Sequence, residues 1–266
     1  MDSILLPQNI NLAKVKYGAV KLLPSGGKSI YISHDNSAFI VQTPEMRSPF
    51  GLSKWDKTEK GSDGTEKNSY KYDLLLGFDG RDSRENLNTF YEKLEELDNK
   101  LVEDGMENSM NWLGKKMTSK EVTQELYTPM IRHSRDKNTG EITDKYAPTF
   151  KLTVPFKDGK FQCEVYGPNN KEIDLSTINV QGARVVAIIQ CVGIWVVGKK
   201  YGCSWKVLQM KVTPRSNIPK FAFREIANDK VKDEDAEDEE ELVEEEEVVD
   251  SSDDDLEPRS NGGKKK

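Results

Sequence analysis

Cysteine and histidine are scarce in this chain. Three cysteines (Cys163, Cys191, Cys203) stand among 266 residues, with no C-x-x-C pair, and there are two histidines, His34 and His133. Neither histidine lies near a cysteine in sequence, so the spacing argues against a structural zinc site. An odd, sparse set of thiols reads as reduced, not as a disulfide scaffold. Long apolar runs are also missing. The longest, Val185–Val197, is interrupted by Gln190 and is too short to span a bilayer. The start, Met1-Asp2-Ser3, has no basic stretch leading into an apolar core. These absences predict a soluble, intracellular protein with no membrane partner.

Catalytic motifs are missing as well. Gly26-Gly27-Lys28-Ser29 matches the end of a phosphate-binding loop, but the motif needs glycine at position 22, which is Leu22. The segment also separates two strand-like runs, which suits a hairpin turn. No serine or cysteine nucleophile motif accompanies His34 or His133, which read as surface residues. The chain reads as a non-enzyme, with no cofactor and no metal.

What the chain does have is a charge asymmetry. Between Asp233 and Glu257 there are 17 acidic residues and no Lys or Arg. The rest, residues 1–232, carries 35 basic against 29 acidic residues, a formal +6 hidden within the net −7. A mildly basic body is thus tethered to an acidic tail that cannot bury apolar surface and is expected to be disordered. The expected division is one folded domain over 1–230 and a tail over 231–266.

Strand signals dominate the body. Val15–Val20, Ile30–Ile32 and Ala38–Val41 are separated by turns at Pro24–Gly27 and His34–Asn36. Residues 43–69 read as a long loop and Lys71–Gly77 as a strand. Leu87, Phe90, Leu94, Leu97 and Leu101 recur at spacings of three and four, which predicts a helix from near Ser83, capped by Asp82 or Ser83. A short helix is expected over Asn108–Lys115, and Thr118-Ser119-Lys120-Glu121 is a capping box for a third. The helical insertion therefore covers about 83–127. Residues 133–147 are polar, with a turn at Asn138–Gly140. Thr149–Val154 and Phe161–Tyr166 are expected to pair around Lys157-Asp158-Gly159. Val185–Val197 and Cys203–Val212 form the strongest hairpin. The fold class is mainly β with inserted helices, an OB-fold-like antiparallel barrel.

Two stretches carry binding chemistry. In 195–224, aromatics interleave with bases, as in Trp195, Lys199, Lys200, Tyr201, Trp205, Lys211 and Arg215. Single strands are bound by aromatic faces that stack on bases and by cations that follow phosphates. Alternation puts Trp205, Val207, Gln209 and Lys211 on one face and Lys206, Leu208, Met210 and Val212 on the other, which is the expected core face. Trp205 is then either a stacking platform or a core plug; Trp195, inside an apolar run, reads as core. The second stretch, Pro44 to Trp55, offers Arg47, Phe50, Lys54 and Trp55 on a loop. Loops between early OB strands help form the groove, but Phe50 and Trp55 could equally plug a barrel end.

Val41-Gln42-Thr43-Pro44-Glu45-Met46 through Pro49-Phe50-Gly51-Leu52, with Ile189–Trp195 through Gly202-Cys203-Ser204-Trp205-Lys206, resembles a protein family of nucleocytoplasmic large DNA viruses. That family is similar to the single-stranded DNA-binding proteins of T-odd phages. The resemblance spans most of residues 10–225 and implies an OB-fold core, non-sequence-specific binding of single-stranded DNA, and an acidic tail that contacts replication proteins such as polymerase or helicase. In the phage-type proteins the tail ends on an aromatic residue. Here it continues into Pro258–Lys266, with Arg259, Lys264, Lys265 and Lys266, so docking by a terminal aromatic cannot operate in that form.

The expected function is viral single-stranded DNA binding in replication, recombination or repair, inside the host cell in a viral factory or the nucleus. Packaging in the virion and homo-oligomerisation stay open. The rival class is a virion structural protein or an acidic-tailed chaperone of basic proteins. Ser251 and Ser252 each precede an acidic residue at the third position, a setting that acid-directed kinases favour.

Overall fold

Alternating burial along Thr149–Val154 sets the pattern of the fold. Phe150, Leu152 and Val154 are buried, while Thr149, Lys151 and Thr153 face outward. The structure, a computed structural model, describes residues 4–60 and 66–215, with the side chains of 57–60 and 66–69 excepted. The acidic tail and its two serines therefore lie outside the described residues.

The strands that carry the argument are β1 (Val15–Leu22), β2 (Lys28–His34), β3 (Ile40–Gln42), β4 (Met46–Arg47), β5 (Leu52–Lys60), β6 (Glu66–Gly77), β7 (Thr149–Val154), β8 (Glu164–Tyr166), β9 (Arg184–Val197) and β10 (Lys200–Thr213). Five positions close into a ring. β4 pairs with β6, β6 with β7, β7 with β10, β10 with β9, and β9 with β3 and β4. All contacts are antiparallel except β7 with β10, which are parallel at Thr153↔Lys206. Taking β3–β4 as the first barrel strand, this is the order of an OB-fold barrel. The β1–β2 hairpin extends the sheet from β9.

Three helices enter between the second and third barrel strands: α1 (Glu85–Glu107), α2 (Ser109–Leu113) and α3 (Lys120–Leu126). The predicted α1 face of Leu87, Phe90, Leu94, Leu97 and Leu101 is buried, and Phe90 packs 5.9 Å from Phe150 at the barrel end. Each such side chain contributes roughly 1.5–3 kcal/mol as an upper estimate. The helix begins two residues later than expected, because Arg81–Ser83 forms a 3₁₀ turn first. In α3 the cap is Ser119, whose side chain accepts from Val122 N at 3.4 Å.

Other expectations need correction. Residues 43–69 are not a long loop: β5 and β6 form an extended hairpin from Leu52↔Leu74 to Lys60↔Glu66. The sequence of β5, Leu52–Lys60, lacks the apolar alternation that marks a half-buried strand. β7 does not pair with Phe161–Tyr166. The Asp158-Gly159 turn, with φ of 51° and 78°, joins only Phe156–Lys157 to Lys160–Phe161, while β8 runs parallel to β10. Barrel closure commits β7 to β6. His34 is buried, with Nε2 3.0 Å from the Asn11 carbonyl and its ring stacked on Phe39. Pro24–Gly27 is a hairpin turn: Leu23 N donates to the Gly27 carbonyl.

Two bulges interrupt the β9–β10 ladder. Val192 is the extra residue in β9, between Cys191↔Trp205 and Gly193↔Ser204. Leu208 is the extra residue in β10, between Ile189↔Val207 and Ile188↔Gln209. Each bulge reverses the in–out parity beyond it. Gly193 makes the first one possible: its φ is 127°, and a Cβ there would lie 2.2 Å from the Ile30 carbonyl oxygen.

Candidate nucleic-acid interface

The outer face of β6 and β7 is polar and cationic. Lys71 and Asp73 face outward on β6, and Lys151 and Thr153 on β7, with Asp73 opposite Thr153. Lys206 lies beside Thr153 on β10. On the far side, Trp55 of β5 pairs with Lys71 and is 59% exposed. A buried carboxylate organises the lysines. Asp73 is 3% exposed, with Oδ2 2.6 Å from Lys151 Nζ and Oδ1 3.7 Å from Lys71 Nζ.

β7 and β10 pair at a single position and diverge below it. The opening is a cleft of about 400 Å³ lined by Lys71, Lys151, Arg132, Trp195 and Ser204. Trp195 is half-buried and lies across Gly202, its partner in the ladder. A Cβ at residue 202 would sit 2.7 Å from Trp195 Cζ2, so only glycine seats this ring.

Arg132 also lines a second, larger cleft of about 780 Å³, between the loop after β4 and residues 132–149. Arg47, Phe50, Leu75, Arg135, Lys145 and Tyr146 contribute to it. The 133–147 segment is not structureless. Ser134–Arg135 pairs with Ile142–Thr143, and Asp136 Oδ1 accepts from Asn138 N and Thr139 N at the turn. Among the described residues, none of Arg47, Arg132, Arg135 and Lys145 has a carboxylate within ion-pair distance.

Asp98, on α1, anchors the strand that carries Arg132. It accepts from Tyr127 Oη at 2.5 Å and from Met130 N at 3.2 Å. Burial pushes its carboxyl up to about 6, and the hydrogen bonds from Tyr127 and Met130 oppose that rise. Cys203 lines the smaller cleft beside Ser204, and it and Cys191 are free thiols with their sulfurs 3.4 Å apart. The hydrogen bond from Cys191, and then burial, raise the Cys203 thiol well above its usual range.

The residues predicted from sequence divide into groups. Arg47 and Phe50 line the larger cleft, and Trp55 joins the Lys71 face. Lys54 points the other way, its Nζ 3.6 Å above the Tyr70 ring. Lys199 and Lys200 are exposed at the β9–β10 tip, where Lys200 Nζ donates to the Glu125 carbonyl. Gln209 donates to Glu164 and Lys211 to Asn170, each at 2.8 Å, beside β8 and away from both clefts. Arg215 is exposed and packs against Gly182.

Tyr201 and Trp205 are corrections: they are 0% and 2% exposed and belong to the core. Trp205 packs against Phe39 and Phe150, with Nε1 donating to Met130 Sδ at 3.0 Å. The Leu208 bulge explains the error. Met210 and Val212 face inward as expected, but parity reverses at the bulge, so Trp205 and Val207 face inward too. The Val192 bulge turns Trp195 outward in the same way. The two tryptophans thus take the opposite of the roles their neighbours in sequence suggest.

Sequence reasoning missed Lys71, Lys151, Arg132, Lys145 and Tyr146. Alternation in Thr149–Val154 marks Lys151 as outward-facing, but nothing local says that β6 is its neighbour.

Fold and surface together define an OB-fold barrel with a cationic, aromatic-lined groove across its second and third strands. The chain belongs to DUF5871, a family of unknown function, whose model matches residues 80–226, more than half of the chain. No curated protein matches it by sequence. Among solved structures it is similar to gp2.5, a single-stranded DNA binding protein encoded by bacteriophage T7, at 12% identity, over 70% of this chain and 98% of that one, with a TM-score of 0.35. It is also similar to a C-terminally truncated single-stranded DNA-binding protein from bacteriophage Enc34, at 10% identity, over 78% and 98%, with a TM-score of 0.37. A second form of the Enc34 protein gives 11% identity over 76% and 90%, with a TM-score of 0.33.

Proposed function

We propose that the protein is a non-sequence-specific single-stranded DNA-binding protein of viral DNA replication, recombination or repair. One observation carries the reading. Lys71, Lys151 and Lys206 lie across the outer face of the barrel with Trp195 and Trp55 beside them, on the surface where OB-folds bind oligonucleotides. Lysine ammonium groups follow phosphates without reading sequence, and aromatic faces stack on any base that is free of its partner strand. A duplex keeps its bases paired and offers no face to stack.

The tail supplies the regulation in this reading. Its 17 carboxylates compete with DNA for the groove and, once displaced, are free to contact polymerase or helicase. The protein acts within the host cell, in a viral factory or the nucleus. The same acidic tract favours a second reading, a chaperone of basic proteins, in which the tail itself is the ligand site.

The test is a gel shift of the full chain on single-stranded and duplex oligonucleotides over a salt series. Tight single-strand binding that weakens with salt is expected. Lys71→Ala with Lys151→Ala should flatten that salt slope by about 0.7 per lost phosphate contact. Equal affinity for both forms of DNA, or a slope unmoved by the double substitution, refutes the assignment.

A further inference from the structure

The larger cleft does more than extend the row of cations. Phe50 and Tyr146 are 63% and 66% exposed, the two most exposed aromatic rings among the described residues. They come from elements 96 residues apart in sequence, yet both line one cavity of about 780 Å³. Singly exposed rings are ordinary, but apolar surface gathered in one concave patch with a polar rim marks an interaction site. The cavity's mouth meets the barrel face at Leu75 and Thr149, and Arg132 is common to it and the cleft beside Lys151. It therefore adjoins the groove.

Its charge fits a nucleotide unit. Arg47, Arg135 and Lys145 surround the rings, and Lys145 Nζ lies 5.5 Å from the Tyr146 ring centroid. Arg135 donates one N–H to the Gly140 carbonyl, which fixes the guanidinium and leaves further donors for a ligand. One acid, Asp79, lines the cavity. An apolar peptide would not need these cations, and an inorganic anion would not need two exposed rings. A base attached to its phosphate uses both.

We propose that this cleft is a distinct nucleobase subsite, in which one unpaired base of the bound strand stacks on Phe50 or Tyr146 while its phosphate meets Arg47, Arg135 or Lys145. The proposal rests on the single-strand-binding reading and adds a second contact region to it, built by the loop after β4 and residues 132–149. A base must leave the stack to enter, so the subsite also discriminates against duplex.

The experiment uses the full chain and oligothymidylates carrying a single 2-aminopurine at successive positions. In the wild type, the probe should be quenched strongly at one position or a narrow window of positions. Phe50→Ala and Tyr146→Ala, both at exposed sites, should abolish that quenching and weaken binding about 5-fold or more, the lower end for one lost stacked base. Thermal melts should stay at the wild-type value. Wild-type DNA binding with affinity and quenching unmoved in the double variant overturns the subsite while leaving the proposed function standing. Failure of the wild type to bind single strands removes both. If the double variant keeps its DNA affinity but loses binding of a peptide spanning 233–257, the cleft belongs to the acidic tail and the inference is wrong.

Discussion

Lys151 places its Nζ 2.6 Å from Asp73 Oδ2 on the outer face of the barrel, so the centre of the groove holds a buried anion. Asp73 Oδ1 has no hydrogen-bond partner, and Lys71 approaches it only to 3.7 Å. In the proposed function, this carboxylate competes with phosphate for two lysines. Asp73→Asn removes the charge and keeps the shape. Single-strand affinity at low salt should rise, while the salt slope stays near the wild-type value, because both lysines meet phosphates in the bound state with or without Asp73. Fluorescence anisotropy over a salt series measures both. Weaker binding would mean that Asp73 holds the lysines in place for DNA instead of competing with it.

Trp205 and Trp195 should respond in opposite ways to truncation. Trp205→Ala empties a core site between Phe39 and Phe150 and should cost about 3–5 kcal/mol of stability. Trp195→Ala removes a half-buried ring from the groove and should cost about 1–3 kcal/mol of binding, with a smaller loss of stability. Urea melts and titrations on the same two proteins separate the effects. A Trp205→Ala protein as stable as wild type would contradict its place in the core.

The contrast between these tryptophans marks how far the sequence could be read. The helix face from Leu87 to Leu101 and the long β9–β10 hairpin were legible, because both depend on local periodicity. Of the residues picked from sequence, Arg47 and Phe50 line the larger cleft and Trp55 lies on the Lys71 face, because short spacing keeps the Pro44–Trp55 stretch together. Bulges at Val192 and Leu208 leave no mark in composition, yet each reverses a strand face. The Lys71–Lys151 pair is a product of barrel closure between strands more than 70 residues apart. Lys145 and Tyr146 read as polar loop because they follow a two-residue-stranded hairpin with no apolar alternation, and Arg132 sits on a strand of two residues, too short for a period to show.

The burial of Asp98 predicts a pH dependence of stability. Its folded value of about 6 lies above the unfolded value of 3.8. The group therefore favours the folded state below the unfolded value, and that contribution is lost as pH rises from about 4 through about 6. The span of about two units corresponds to roughly 3 kcal/mol. Asp98→Asn should remove this component, so that wild type loses more stability than the variant between pH 4 and pH 7. Urea melts at pH 4.5 and 7.5 measure it. Parallel losses in the two proteins would show that Asp98 is ionised throughout, held so by Tyr127 and Met130.

The acidic tail makes a prediction that depends on charge alone. A chain ending at Lys232 keeps the +6 body and loses 17 carboxylates. Tethering gives those carboxylates a high effective concentration at any cationic surface on the same molecule. At low salt the shortened chain should bind single-stranded oligonucleotides more tightly than the full chain. The difference should shrink as salt rises, because the Debye length falls from about 30 Å at 0.01 M to about 8 Å at 0.15 M. A chaperone of basic proteins behaves oppositely: truncation should abolish its binding of a histone-like ligand without changing any DNA affinity. Titrating both chains with an oligonucleotide and with a basic protein therefore separates the two readings. Equal DNA affinities at low salt would refute self-masking, and loss of basic-protein binding alone would assign the tail to the rival function.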